Sequence, residues 1–294
     1  MSNTLLWQPP AARVKRANIT RFSEYANKHC ATGVTDYPGL HDWSINHPEE
    51  FWKAIWDFCG AIGDQGSNRV LSNGEQMPGA EWFPDATLNF AENLLRYADE
   101  RCALISRLEN GERRTLSYAE LRQQVAQLAA AFKARGIQRG DRVAAFMPNI
   151  LETVIGMLAA SSIGATWSSC SPDFGINGVL DRFGQIEPKL LLACDGYYYN
   201  GKVIDVSERL RAVVEKIDSI RTVVIVPVLG RQEALALKTT VELFDDFLTS
   251  CNTAELQFEA LPFNHPLYVM YSSGTTGVPK CIVHGAGGTL LQHL

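Results

Sequence analysis

Leu267-Tyr-Val-Met-Tyr-Ser-Ser-Gly-Thr-Thr-Gly-Val-Pro-Lys-Cys-Ile-Val283 sets a loop rich in hydroxyls and glycine between two apolar runs. The flanking runs predict strands. The loop between them carries Ser272, Ser273, Thr275 and Thr276, the glycines Gly274 and Gly277, and Lys280. Such a loop can turn backbone N–H groups toward an anion, because glycine accepts positive φ and has no Cβ to obstruct the approach. Hydroxyls add donors, and lysine adds positive charge. Each hydrogen bond to a charged group contributes roughly 1.5–3 kcal/mol net, so a handful would hold the phosphates of a nucleotide. The spacing is not that of a Walker A loop, which has four residues between its glycines and Ser or Thr after its lysine. Here Thr275 and Thr276 alone separate the glycines, Pro279 precedes Lys280, and Cys281 follows it. An ordinary hairpin loop is the other reading of the bare Gly-Thr-Thr core.

Upstream, from residue 98 to the loop, apolar runs and amphipathic stretches alternate. Strands are predicted at 102–106 and 114–116, joined by an Asn110-Gly111 turn. Ser117-Tyr-Ala-Glu120 reads as a capping box opening a helix with Leu121, Val125, Leu128 and Phe132 on one face. Further strands are predicted at 141–147, 165–168, 189–193 and 222–226, with helices at 151–163, 176–186 and 203–217. This alternation predicts an α/β fold, a mostly parallel sheet with helices on both faces. Ligands of such sheets bind beyond the carboxyl ends of the strands. The loops after Met147, Ser168 and Ala193 are therefore the places to look, although each also reads as plain turn chemistry.

Residues 1–97 differ in texture and predict a helical N-terminal extension, ahead of a second domain at 98–294. Pro48 suits the first helical position, and Glu49 and Glu50 suit the positive end of the helix dipole. Phe51, Ile55 and Phe58 then share a face, with Trp52 and Trp56 beside them and Gly60 as a stop. A second short helix is predicted at 88–95. The aromatic side chains here read as packing, since large rings mostly supply buried area.

A chain of 294 residues, 46% apolar, is long enough for about two domains. The formal net charge of −5 and the lack of a basic block argue against nucleic-acid binding. Seven scattered cysteines form no C-x-x-C pair, so neither a disulfide framework nor a zinc site is signalled. Free buried thiols suit a reduced, cytoplasmic protein. No signal-peptide pattern opens the chain, and no apolar run reaches the ~20 residues that span a bilayer.

The string 271–280 resembles, position for position, the phosphate-binding signature of the adenylate-forming enzymes, the superfamily of acyl-CoA synthetases and adenylation domains. The stretches 81–95 (Glu81-Trp-Phe-Pro-Asp-Ala-Thr-Leu-Asn-Phe-Ala-Glu-Asn-Leu-Leu95), 116–121 and 164–175 are similar to its acetyl-CoA-synthetase-like branch. Residues 183–191, 197–202 and 285–288 resemble the acetoacetate-activating members of that branch. The resemblance implies a ligase that uses ATP with Mg2+ and then CoA, passing through an acyl-adenylate. It implies that Ser272, Ser273, Gly274, Thr275, Thr276 and Gly277 wrap the ATP phosphates, and that Lys280 anchors the loop or pairs with phosphate. Lys202 falls where the branch carries a basic CoA-contacting loop, or it is a lysine at a helix start. His284 falls toward the acyl side, or it is a satisfied core histidine. The family's adenine, ribose and catalytic-lysine segments lie downstream of the phosphate loop, and 289–294 reads as an unfinished amphipathic helix. The expectation is therefore the N-terminal portion of a longer acetoacetate–CoA ligase, inactive alone, its substrates small molecules. The alternatives are a ligase for acetate or propionate, or a stand-alone nucleotide- or partner-binding module that could self-associate through an uncovered sheet edge.

Overall fold

The computed structural model describes residues 5–231, 235–251, 255–272 and 277–294. The chain divides into two compact units, residues 1–86 with 290–294, and residues 87–289.

The first unit is built on helices α1 (Ala11–Arg16), α2 (Asn18–His29), α3 (Tyr37–Asn46) and α4 (Pro48–Cys59). Asp36 caps α3 by accepting a hydrogen bond from the Gly39 N–H at 2.9 Å. Helix α4 opens with Pro48, carries Glu49 and Glu50 in its first turn, and ends at Gly60 in the left-handed conformation. The phenyl ring of Phe22 meets Trp43, Phe51 and Phe58 with centroids 6.3, 5.6 and 5.3 Å away. Phe22 and Trp43 are thus core, with Phe51 and Phe58 packed against them, whereas Trp7 and Tyr37 are exposed. Beyond α4 come short strands, β1 (Gly63–Asp64) and an antiparallel pair of β2 (Leu71–Ser72) with β3 (Glu81–Trp82).

The second unit begins with β4 (Thr87–Leu88) and α5 (Phe90–Leu94), then the antiparallel hairpin of β5 (Cys102–Arg107) and β6 (Arg113–Ser117). Helix α6 (Tyr118–Ala134) starts on a complete capping box: Glu120 N–H donates to Ser117 Oγ, and Ser117 N–H donates to the Glu120 carboxylate. The alternating core follows as β7 (Arg142–Phe146), α7 (Leu151–Ser162), β8 (Thr166–Cys170), α8 (Ile176–Ile186) and β9 (Leu190–Cys194). A hairpin of β10 (Gly196–Tyr199) and β11 (Lys202–Asp205) precedes α9 (Ser207–Lys216), β12 (Thr222–Val226), β13 (Thr240–Leu243) and α10 (Phe244–Thr249). Last come β14 (Leu261–Pro262), paired to β4, then β15 (Pro266–Ser272), β16 (Lys280–Gly285) and α11 (Ala286–His293).

The main sheet has the order β13-β12-β9-β7-β8-β15-β16. Its pairings are parallel except the last, where β16 runs back against β15. Side chains alternate across it as the pleat requires. Val143, Ala145, Leu190, Leu192, Val224 and Val226 face the core formed with α6, α7 and α10. Ala144, Phe146, Leu191, Ala193, Val223 and Ile225 face the core formed with α8 and α9. Both faces are buried, which is why these strands read as continuous apolar runs.

The helix predicted over 203–217 starts instead at Ser207, because the preceding residues form the β10–β11 hairpin. Tyr199 pairs with Lys202 across Asn200 (φ 50°) and Gly201 (φ 70°), the two-residue turn that asparagine–glycine favours. Asp205 then accepts a hydrogen bond from the Ser207 N–H at 2.7 Å, at the start of α9. Among the described residues, no helix is long and apolar enough to cross a membrane.

Candidate functional site

Strand β7 lies mid-sheet with β8 on one side and β9 on the other. The chain leaves it in one direction and later returns on the opposite side, so the crevice beyond its carboxyl end is a topological switch point. Strand β15 joins β8 in parallel, with Tyr268 opposite Trp167 and Val269 opposite Ser168. Its carboxyl end therefore emerges on the same edge of the sheet, and that end carries the hydroxyl- and glycine-rich loop.

The last rung of the β15–β16 ladder is Ser272 opposite Lys280. Ser273, Gly274, Thr275 and Thr276 lie outside the described residues. Gly277 has φ 92°, a conformation that a residue with a Cβ rarely adopts. Lys280 is exposed at the exit of the loop.

Below that rung the entry strand is fixed from one side. The Tyr271 hydroxyl lies 2.8 Å from Ser168 Oγ, which also donates to the Val269 carbonyl at 2.9 Å. Burial pushes the Tyr271 phenol far above its ordinary range, so it stays a neutral hydrogen-bonding group. The Arg182 guanidinium, on α8, lies over the Phe174 ring at 4.3 Å and the Tyr271 ring at 5.6 Å, and donates to the Gly178 carbonyl at 2.7 Å. The exit of the loop is tied to the same helix, because Gln185 Nε2 donates to the Pro279 carbonyl at 2.9 Å.

The loop after β8 converges on this edge as well. Arg209 Nη1 donates to the Pro172 carbonyl at 2.6 Å, which ties that loop to α9. A cavity of about 450 Å3 opens here, lined by Met157, Trp167, Ser169, Phe174, Arg182 and Tyr271 among others. Buried thiols flank the switch point: burial pushes Cys170, at the end of β8, and Cys194, at the end of β9, up to about 12. They are structural thiols, without thiolate character.

The other two candidates stand apart from the loop. Lys202 is exposed and opens β11 on the far side of the Asn200-Gly201 turn, rather than starting a helix. His284 lies four residues along β16 from Lys280, opposite Tyr268, with ring centroids 5.4 Å apart. At about 3.4 Å per residue in an antiparallel strand, it sits about 14 Å down the ladder from the loop. Tyr271, Arg182 and Gln185 were given no role by the sequence reading, although Tyr271 opens the 271–280 string and Gln185 lies in the 183–191 stretch that carried the resemblance. Tyr271 carried a signal, as the last aromatic before the loop. Nothing in the residue type of Gln185, on the solvent side of a helix, marked it as an anchor.

With this geometry in place, comparison with known proteins is decisive. The model of the AMP-binding enzyme family matches residues 90–293, and that of the acetyl-coenzyme A synthetase N-terminus matches residues 37–94. The chain belongs to the AMP-binding enzyme family.

This AMP-binding chain is 50% identical over 292 residues to acetoacetyl-coenzyme A synthetase of Rhizobium meliloti (strain 1021), covering 98% of the chain and 44% of that relative. It is 38% identical over 305 residues to malonamoyl-CoA synthetase of Penicillium aethiopicum, covering 98% of the chain and 42% of that relative. Among solved structures, acetoacetyl-CoA synthetase from Streptomyces lividans superposes with a TM-score of 0.91 at 42% identity, over 99% of this chain and 45% of that one. The chain therefore spans a little under half the length of the relatives it matches.

Proposed function

We propose that this AMP-binding chain supplies the phosphate-binding part of an acetoacetate–CoA ligase. The reaction joins acetoacetate, ATP and CoA to give acetoacetyl-CoA, AMP and diphosphate. One observation carries the reading. The 271–280 string closes the β15–β16 hairpin at the carboxyl edge of a parallel sheet, in a chain half identical to a named acetoacetyl-CoA synthetase.

In this reading the acetoacetate carboxylate attacks the α-phosphorus of ATP, and diphosphate leaves with the electron pair of the broken P–O bond. The CoA thiol then attacks the acyl carbon, loses its proton and displaces AMP. Magnesium arrives with ATP as part of the substrate. The protein's task in the first step is position and charge rather than covalent work. Ser272, Ser273, Thr275 and Thr276 offer hydroxyls, and Gly274 and Gly277 leave backbone N–H groups open to the β- and γ-phosphates. Lys280, at the mouth of the hairpin, supplies the cation. At an effective dielectric of ~20, a unit charge at ~4 Å is worth about 4 kcal/mol before desolvation is subtracted. Lys202, in the β10–β11 hairpin, is the basic group we assign to CoA, and His284 the one we assign to the acyl side. Free thiols at all seven cysteines suit a reducing compartment.

The named relatives suggest a substrate class. Acetoacetyl and malonamoyl groups both carry a carbonyl at the carbon β to the thioester, and the reading extends to such β-carbonyl acids. The test is ATP–diphosphate exchange on the polypeptide at its relatives' length, with acetoacetate, malonamate, acetate and propionate in parallel. Exchange with acetoacetate well above acetate supports the reading, and exchange with acetate alone overturns it. Lys280→Ala should lower exchange about ten- to a hundredfold, the loss of one or two charge-assisted contacts. Full activity in that variant would remove Lys280 from the phosphate site. We also expect the 294-residue chain alone not to support exchange, whereas tight ATP binding by a stable monomer of it would favour the stand-alone binding module.

A further inference from the structure

Helix α8 covers one face of the sheet through Val179, Phe183 and Ile186, which are buried in the core with α9. Its opposite side is solvent-facing, and nothing in packing requires a particular residue at Gln185. Yet Gln185 Nε2 reaches two carbonyls, Asp181 O one turn back on its own helix and Pro279 O in the loop, the latter at 2.9 Å. Both partners are acceptors only, so the amide must present its nitrogen to them and uses both N–H donors. Pro279 has no N–H and lies one position beyond the last rung of the hairpin, so the ladder itself gives it no hydrogen bond as donor. Gln185 holds the peptide that joins Pro279 to Lys280.

We infer that Gln185 is a positioning residue for the phosphate loop, fixing the Pro279 carbonyl against α8 so that Lys280 enters β16 at a set height and direction. The inference rests on the reading of 271–280 as the phosphate site. The entry side has its own anchor in Tyr271, through Ser168 and Arg182. The two ends of the loop, Tyr271 and Pro279, are thus both held by groups on the α8 side of the sheet before the nucleotide arrives. Preorganisation of this kind shows as ATP affinity rather than as fold stability.

The test is a donor series at one site, made in the polypeptide at its relatives' length: Gln185→Met, Gln185→Glu and Gln185→Lys. Methionine keeps the length and removes the donors. Glutamate offers only acceptors to two carbonyls, and lysine restores a donor at similar reach. The methionine and glutamate variants should raise the KM for ATP in diphosphate exchange by about three- to tenfold, the scale of one neutral hydrogen bond. The KM for acetoacetate and the melting temperature should stay unchanged. Lysine should restore the ATP KM, and the rescue should persist at high salt, where a bare charge effect would be screened. Amide hydrogen exchange at 277–281 without ATP should quicken in the methionine variant alone of the Met–Lys pair. A wild-type ATP KM in Gln185→Met overturns the inference and leaves the phosphate reading intact. Loss of both KM values together with the melting temperature also overturns it, because that pattern belongs to a structural role. Absence of exchange in the parent with every acid overturns the phosphate reading, and the inference falls with it.

Discussion

Asn89 offers a stability test whose size follows from its contacts. It is almost fully buried, at 1% exposure, between β4 and α5. Its Oδ1 caps α5 by accepting from the Glu92 N–H at 3.3 Å. Its Nδ2 lies 3.2, 3.0 and 2.9 Å from the carbonyls of Ser161, Ser162 and Glu259. One amide thereby joins the start of α5, the end of α7 and the segment before β14. In Asn89→Ala the Ser161 and Ser162 carbonyls keep the N–H groups of Gly164 and Glu259, whereas Glu259 O loses the donor that Asn89 supplies. Loss of the cap costs about 1 kcal/mol, and a buried carbonyl left without its donor about 1–3 kcal/mol. The expected total is about 2–4 kcal/mol. In urea, with a slope of about 1–3 kcal/mol per molar, the unfolding midpoint read by circular dichroism should fall by about 1 M or more. Asn89→Asp separates the two roles, because it keeps the cap but turns an acceptor toward three carbonyls. It should lose at least as much as alanine. A shift worth under 1 kcal/mol in alanine, or an aspartate variant as stable as the parent, would refute the reasoning.

Gly287, in the first turn of α11, has its N–H on the Phe263 carbonyl at 2.7 Å, and an added Cβ would clash with the Cγ, Cδ2 and Cε2 edge of the Phe263 ring. Gly287→Ala should therefore destabilise by about 1–3 kcal/mol, whereas Gly288→Ala, with open space around it, should be near neutral by the same thermal-melt measurement. Alkylation near pH 8 with mass-spectrometric mapping should label exposed Cys102 readily and leave Cys170 and Cys194 unlabelled until unfolding, since burial holds both thiols near pKa 12. The Asp205 carboxyl is held down to about 2 by the Ser207 N–H and the Arg231 guanidinium. A depressed carboxylate contributes stability that is complete above its unfolded pKa of about 4 and is lost as pH falls toward 2. The gap in melting temperature between the parent and Asp205→Asn should close across that window, and a gap constant from pH 6 to pH 2 would contradict the assignment.

The sheet was legible because its strands are buried on both faces. Runs such as Val143–Met147 and Leu190–Cys194 leave no polar side chain to confuse the period, and the Ser117/Glu120 box fixed a helix start to the residue. The β10–β11 hairpin was misread for a local reason. Lys202–Asp205 adjoins an amphipathic helix and looks like its first turn, while the Asn200-Gly201 signal is only two residues long. Helices α1 and α3, of six and ten residues, depend on tertiary packing more than on propensity, and α2, although as long as α4, lacks the proline and acidic first turn that marked α4. At the site, the loop's hydroxyls, glycines and lysine were readable from residue type and spacing, and their phosphate role is the reading proposed above. The loop's anchoring was not readable, because Gln185 acts through a side chain on an exposed helix face, where sequence shows only a polar residue in a solvent position.

The parallel pairing of β15 with β8 joins residues 101 apart in the chain, as between Ser168 and Val269. The β7–β8 pair, by contrast, links residues only about two dozen positions apart, from Val143 to Trp167. Closing the longer loop carries the larger entropy cost and depends on β8 already being in place. Strand β15 is therefore expected to join late during folding, with β16 after it, which pulsed hydrogen exchange would register as late protection of 267–271. A chain still assembling its sheet would then have no nucleotide grip at all. On the proposed phosphate role, ATP would report on completed folding of this unit, and would stabilise the finished state without trapping the intermediates that precede it.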